Sequence, residues 1–303
     1  PRLEGEGMRL ALFVAAIISI AAPRTAPRTA AGIAPRQESP LPAGSAGGRS
    51  VKRIVIVDAG HGGPDNGMHG PIGGTFRILE KDITLAVSKR LAHTLEDRGM
   101  DVVMTRTTDT LIALSDRGRI ANRRKGDLFI SIHVNAANPG WKDPRGARGF
   151  ETYFLAEAKT EDAKRVAQME NDVVRFETSA GPAPSDDALG FILNDMAQNE
   201  HLRESSDLAE LIQERLATTH PGPSRGVKQA GFRVLVTAYM PAVLVEIGFG
   251  TNPAEAAYIN SAAGQEKISR AIADAAVAYL ARYERRRGPS GAAAGTAAAG
   301  RNP

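Results

Sequence analysis

Two histidines and two glutamates stand at the ends of apolar runs in this chain. His61 follows Ile54-Val55-Ile56-Val57, His133 closes Phe129-Ile130-Ser131-Ile132, Glu246 follows Val243-Leu244-Val245, and Glu80 opens a long amphipathic stretch. Zinc in a catalytic site takes three protein ligands and keeps one position open, and two imidazoles with a carboxylate form a known set. His61, Glu80 and His133 supply it. Such a site lowers the pKa of water and polarises a carbonyl, which leaves proton transfer to a separate carboxylate, and Glu246 is the residue for that task. Taken singly, each of the four reads equally well as a satisfied polar group at a strand end. Their joint placement carries the reading.

For these residues to meet, the elements bearing them must end together. Residues 53–57 form a short β-branched run that stops at Asp58-Ala59-Gly60, a buried strand entering a turn. From 81 to 98 the apolar residues Ile83, Val87, Leu91 and Leu95 recur every fourth position, a helix that stops at Gly99. Further strands are predicted over 101–105, 127–134, 149–155, 232–236 and 242–247, and further helices over 114–124, 207–216 and 266–283. This alternation implies an α/β fold, a single domain over 53–284 with a largely parallel sheet. The carboxyl ends of strands in such a sheet line one crevice, where distant positions converge. Glu80 falls on the same side if its helix packs back in the right-handed sense.

Residues 156–206 are polar and helical in pattern, broken at Ser179-Ala180-Gly181-Pro182, and read as a helical insertion on the sheet. Within it Ala163, Val166, Ala167, Val173 and Val174 mark one apolar helix face, and Glu170 falls inside that stripe. A carboxylate there must reach water, pair, or meet a metal, because burying it unpaired is unfavourable.

Composition sets the limits. The chain has 303 residues, 42% of them hydrophobic, enough for one sizeable core. It has no cysteine, which excludes a disulfide framework, a thiol nucleophile and a cysteine zinc site, so any metal must rest on histidine and carboxylate. A net charge of +4 suits anionic surfaces, but no motif or aromatic platform for nucleic acid accompanies it. Residues 1–22 are read as a leader and secretory signal, with Met8-Arg9 before the apolar run 10–22 and cleavage near Ala21, leaving no stable membrane anchor. Residues 23–52, rich in Pro and Ala, are read as a disordered linker, and 285–303 as a disordered tail. The expected location is periplasmic or secreted.

Four strings in order, Ile56-Val57-Asp58-Ala59-Gly60-His61-Gly62-Gly63, Glu80-Lys81-Asp82, Ser131-Ile132-His133-Val134-Asn135-Ala136 and Val245-Glu246-Ile247-Gly248-Phe249, resemble the motifs of the zinc-dependent N-acetylmuramoyl-L-alanine amidases. The resemblance spans residues 53–283. It implies one α/β domain with a mixed, mostly parallel twisted sheet flanked by helices, Zn2+ on His61, Glu80 and His133, and Glu246 as the catalytic glutamate. The implied reaction cleaves the amide between N-acetylmuramic acid and L-alanine in peptidoglycan, Glu246 taking the proton of the attacking water and returning it to the leaving nitrogen. Division-associated members of that family are held inactive by a helix and released by activators with degenerate LytM-type domains, which implies a regulatory role for Glu170. Two other functions compete: a catalytically silent peptidoglycan-binding protein, and a zinc peptidase acting on the stem peptide.

The remaining polar residues are assigned lesser places. His93 lies off the apolar stripe of its helix, and His69, His201 and His220 are expected at the surface. Asp65 is the reserve ligand. Asp58 is expected to brace its turn and to support a ligand histidine. The glycine-rich stretch 60–74 lacks the Gly-Lys-Ser/Thr ending of a phosphate loop.

Overall fold

The computed structural model describes residues 52–177 and 196–287, and of 196–200 and 287 the backbone alone. The leader, most of the linker, most of the tail and residues 178–195 of the insertion lie outside the described residues. The chain runs β1 (Ile54–Ala59), β2 (His69–Gly70), β3 (Ile78–Leu79), α1 (Glu80–Glu96), β4 (Asp101–Met104), α2 (Leu114–Arg123), β5 (Leu128–Asn135), β6 (Phe150–Leu155) and α3 (Glu161–Asn171). A 3-10 turn, Asp172–Phe176, closes this half. The rest is α4 (Met196–Ala217), β7 (Ser224–Ala230), α5 (Arg233–Val236), β8 (Ala242–Phe249), α6 (Pro253–Asn260) and α7 (Ala262–Arg287).

Six strands form one sheet in the order β4-β1-β5-β8-β6-β7. The first four are mutually parallel, β6 runs antiparallel to β8, and β7 runs parallel to β6. The sheet is therefore mixed and mostly parallel, as its βα alternation requires. Successive side chains of a strand point to opposite faces, and the core divides accordingly. Val55, Val57, Ile130, Ile132, Val243 and Val245 meet the buried stripes of α1, α4 and α7. Ile56, Phe129 and Leu244 point the other way, toward α2, α3 and α5. His133 pairs with Glu246 one register step beyond Ile132 and Val245, so both face α3.

Differences from the expected elements have local causes. Residues 232–236, expected as a strand, form the single helical turn α5, with the adjacent Val234 and Leu235 both buried. An apolar run that short carries no period to separate helix from strand. β7 was not anticipated because Ser224–Ala230 lacks apolar alternation, as an edge strand with mostly half-buried positions can. The helix expected over 207–216 begins at Met196, and α7 begins four residues early. α6 was also missed, although Asn252 caps it through the amides of Ala254 and Glu255 and Pro253 opens it. In the insertion α3 ends at Asn171, so Val173 and Val174 belong to the 3-10 turn and not to one continuous helical face. No described helix is long and apolar enough to cross a membrane.

Candidate metal centre and active site

β1 delivers the chain to His61 through a backbone that only a few residue types accept: His61 has φ 59°. Gly60 before it is required by space, since a Cβ there would stand 2.6 Å from Cε1 and Nε2 of His133. With the backbone so turned, His61 Nδ1 meets Asp65 Oδ2 at 2.6 Å. Nε2 therefore faces inward, 3.1 Å from Glu80 Oε1 and 3.0 Å from Glu170 Oε2.

Glu80 is the first residue of α1, and its carboxylate is fixed by two backbone donors: the Val134 amide donates to Oε1 and the Met68 amide to Oε2, each at 2.8 Å. His133, near the end of β5, points Nδ1 at Glu80 Oε1 (3.3 Å) and Glu170 Oε2 (2.7 Å). One ligand atom from each of His61, Glu80, His133 and Glu170 lies within 4.8 Å of all the others, and all four residues are buried. Glu170 reaches this point because Ala163, Val166 and Ala167 of α3 pack into the core below it.

The donor set fits a metal. His61 Nε2, His133 Nδ1 and both oxygens of Glu170 are buried, and their mutual contacts, although short, do not meet hydrogen-bond geometry. Groups that approach without bonding one another share a common target. Burial pulls the two imidazoles toward neutrality, but Glu80 and Glu170 outweigh it, holding His61 well above its usual range and His133 up at about 9. Burial raises the Glu80 carboxyl and the two histidines more than offset it, so it lies below the ordinary range. The cluster is electrostatically built for a cation, and its two-imidazole, carboxylate chemistry matches a borderline-soft divalent ion.

Glu246 is fully buried directly opposite His133 in the β5–β8 pairing, and neither of its oxygens has a hydrogen-bond partner among the described residues. Burial first, then the charges of Glu170, Glu80 and Glu151, raise its carboxyl well above the usual range. The arrangement puts a carboxylate with raised proton affinity beside a cluster that could hold a metal ion.

Of the two aspartates near His61, Asp65 and not Asp58 supports the ring. Asp65, the reserve ligand, sits behind His61, where its bond to Nδ1 orients the ring. Asp58 makes no hydrogen bond to a histidine among the described residues and braces the turn, as expected. It accepts from Thr105 Oγ1 (2.6 Å), Ser131 Oγ (2.6 Å) and Arg117 Nη1 (2.9 Å). His220 is also misplaced by the sequence reading: it is 7% exposed, wedged edge-on against Phe150 and Tyr258. His93 and His69 are exposed as expected.

Sequence reasoning overlooked Arg106 and Arg117. Arg106 donates to the carbonyls of Ala59 and Gly60 at 3.0 and 2.8 Å, and Arg117 to those of Ala59 and His61 at 2.6 and 2.9 Å. Together they clamp the turn that carries His61. Nothing in a lone arginine's neighbourhood announces this, although Arg117 falls on the buried side of α2 with Leu114 and Ala121.

Asp65→Asn tests whether the ring of His61, a candidate metal ligand, depends on this support. Asparagine keeps the shape but removes the charge that stabilises an Nδ1–H imidazole, and loss of such a partner costs about 10- to 100-fold in metal affinity. Zinc titration against a competing chelator should show that loss. Affinity equal to the parent protein's would remove Asp65 from this role.

The chain matches the protein family described as N-acetylmuramoyl-L-alanine amidase over residues 55–278. N-acetylmuramoyl-L-alanine amidase AmiA of Escherichia coli is 36% identical over 233 residues, which is 76% of this chain and 76% of that one. The amidase AmiC of Escherichia coli is 31% identical over 252 residues, 82% of this chain but 57% of its own length. Among solved structures, an N-acetylmuramoyl-L-alanine amidase from Clostridium difficile superposes with a TM-score of 0.57 at 28% identity, covering 77% of this chain and 99% of that one. On the extent of these matches, the chain belongs to the N-acetylmuramoyl-L-alanine amidase family.

Proposed function

We propose that this protein hydrolyses the amide between N-acetylmuramic acid and L-alanine in peptidoglycan, using zinc held by His61, Glu80 and His133 and Glu246 for proton transfer. The observation that carries the reading is the buried convergence of those three ligands beside the unpartnered Glu246 carboxylate, in a chain of this family. A zinc ion there supplies Lewis acidity toward the carbonyl and a water of lowered pKa. Glu246 accepts the proton of the attacking water and returns it to the leaving alanine nitrogen. Asp65 keeps His61 in the right tautomer, and the two backbone amides on Glu80 keep its carboxylate from rotating away.

Mass spectrometry of digested sacculi decides between this reading and its competitors. Intact stem peptides with N-terminal alanine are expected. Shortened stems would make the protein a peptidase, and no products at all would make it a binder. The protein works in the periplasm or outside the cell, where its substrate lies and where the signal-like residues 8–22 would direct it.

The same reading makes α3 a brake. Glu170 stands against the proposed ligand atoms of His61 and His133, where substrate or water must come. Release falls to an activator protein, of the LytM-type class implied by resemblance to division-associated amidases. Glu170→Ala weakens only the closed state, so basal turnover should rise. A charge-assisted contact is worth about 1.5–3 kcal/mol, or roughly 10- to 100-fold. A stable, zinc-loaded Glu170→Ala protein with an unchanged or lower basal rate would count against the brake.

A further inference from the structure

Glu170 is not the only carboxylate that α3 lays over the polar strip of the sheet. Asp162, in its first turn, points Oδ2 toward Arg225 Nη2 at 3.5 Å and Lys228 Nζ at 3.6 Å. Both cations come from β7, whose start lies at the same edge of the sheet as the end of β8 because β6 and β7 run opposite to it.

These two cations are built into the site. Each donates to Glu151 Oε2, Arg225 through Nε at 2.8 Å. Glu151 is fully buried and lies directly opposite Glu246 in the β6–β8 pairing. The Arg225 guanidinium also rests 5.0 Å from the ring centre of Phe249, the last residue of the strand that bears Glu246, and 5.9 Å from that of Trp141. Arg225 and Lys228 keep 28% and 20% of their side-chain surface exposed, so they are fixed yet reachable.

Charge balance identifies what the site takes. Glu151 neutralises one of the two cations, and Asp162 of α3 lies beside them through Oδ2 while its Oδ1 is held by Arg165 of the same helix at 3.1 Å. Removing α3 takes Asp162 and its partner Arg165 away together and leaves two β7 cations over the single carboxylate of Glu151. Asp162 is also a loose occupant, its contacts of 3.5 and 3.6 Å being longer than the 2.7–2.9 Å of a strong charge-assisted bond. A mobile carboxylate can approach more closely than one fixed on a helix.

We propose that Arg225 and Lys228 form a carboxylate-binding subsite of the substrate groove, filled by Asp162 in the closed state and by an acidic group of the stem peptide in the working enzyme. The inference rests on the amidase reading and on α3 leaving the groove. Asp162 and Glu170 are little more than two helical turns apart, about 12 Å along the axis. An extended peptide covers that distance in about three to four residues. The subsite therefore recognises a carboxylate roughly that far along the peptide from the scissile amide, and α3 mimics substrate at two points at once.

The test uses the full chain, zinc-loaded and carrying Glu170→Ala, with two synthetic muramoyl-tetrapeptides, one with free carboxylates and one with them amidated. Amidation should lower kcat/KM by about 10- to 100-fold, mainly through KM, the range expected for one charge-assisted contact. Adding Lys228→Gln should erase that preference. Equal kcat/KM for both substrates, or a preference that survives Lys228→Gln, would overturn the subsite. Binding of the free tetrapeptide and of its amidated form is measured in parallel by calorimetry and needs no turnover. Asp162→Asn should tighten binding of the free form about tenfold, because the internal competitor loses its charge, and unchanged affinity would also overturn the proposal. If neither muramoyl-peptide is cleaved while the binding preference for free carboxylates persists, the amidase reading fails and the subsite stands.

Discussion

Glu246→Gln should leave a protein that binds zinc normally and turns over about 10²- to 10⁴-fold more slowly, the range for loss of a positioned general base. The expectation follows from where the side chain stands. It lies beside the ligand cluster without contributing to the four convergent atoms, and it is held by the strand that pairs with the strand of His133. Burial and the carboxylates of Glu80 and Glu151, with Glu170 while α3 is closed, raise its affinity for a proton, which suits a group that must accept one. Glutamine keeps the volume and removes only that capacity. Zinc content by elemental analysis and kcat on isolated sacculi check the two halves together. A zinc-loaded variant with near-normal turnover would show that another group moves the proton.

How much of this was legible beforehand depends on the range of the contacts involved. The proposed ligands could be picked out because each stands at one end of an element with a strong local pattern: the β-branched run before His61, the apolar stretch before His133, the four-residue period after Glu80. Topology then forces strand ends into one crevice, so no pairwise contact had to be known. Glu170 was visible for a similar reason, as an acid inside an apolar stripe, and the pattern left water, a partner and a metal equally open. The contacts that hold these residues in place were not legible. Arg117 reaches Ala59 and His61 across more than fifty positions, and Glu151 meets Arg225 and Lys228 across more than seventy. No periodicity encodes such pairs. His220 was misread because its neighbours in sequence, Pro221 and Gly222, suggest a surface turn, while Phe150 and Tyr258 bury it from elsewhere in the chain. Asp58 and Asp65 were both seen as polar residues near His61, but only the turn geometry decides which one faces the ring.

That same geometry makes Asp58 the position where a substitution outside the metal cluster should be most damaging. Asp58 is fully buried at the end of β1, and Arg117, 1% exposed, is its ion partner at 2.9 Å. Asp58→Ala removes one member of a buried pair and leaves the guanidinium with carbonyl acceptors alone, a change that costs about 3–5 kcal/mol. It also strips Thr105 and Ser131 of their shared acceptor. Urea unfolding should register a loss of that size. A loss below about 1 kcal/mol would mean that the carbonyls of Ala59, His61 and Ile112 satisfy Arg117 by themselves. The pH dependence offers an independent reading. Burial pushes the Asp58 carboxyl up, but Arg117, Ser131 and Thr105 outweigh it, so its folded-state pKa lies below the ordinary carboxylate value of about 3.9. The unfolded chain therefore takes up this proton first as pH falls. The stabilising contribution is complete above about pH 4–5 and disappears as pH drops through the lower folded value. Asp58→Asn retains much of the shape without the titration, so its stability should fall less steeply than that of the parent protein over this acid range. Because Arg117 holds the His61 carbonyl as well as Asp58, the Asp58→Ala protein that remains folded should also bind zinc more weakly, with every proposed ligand still in the chain.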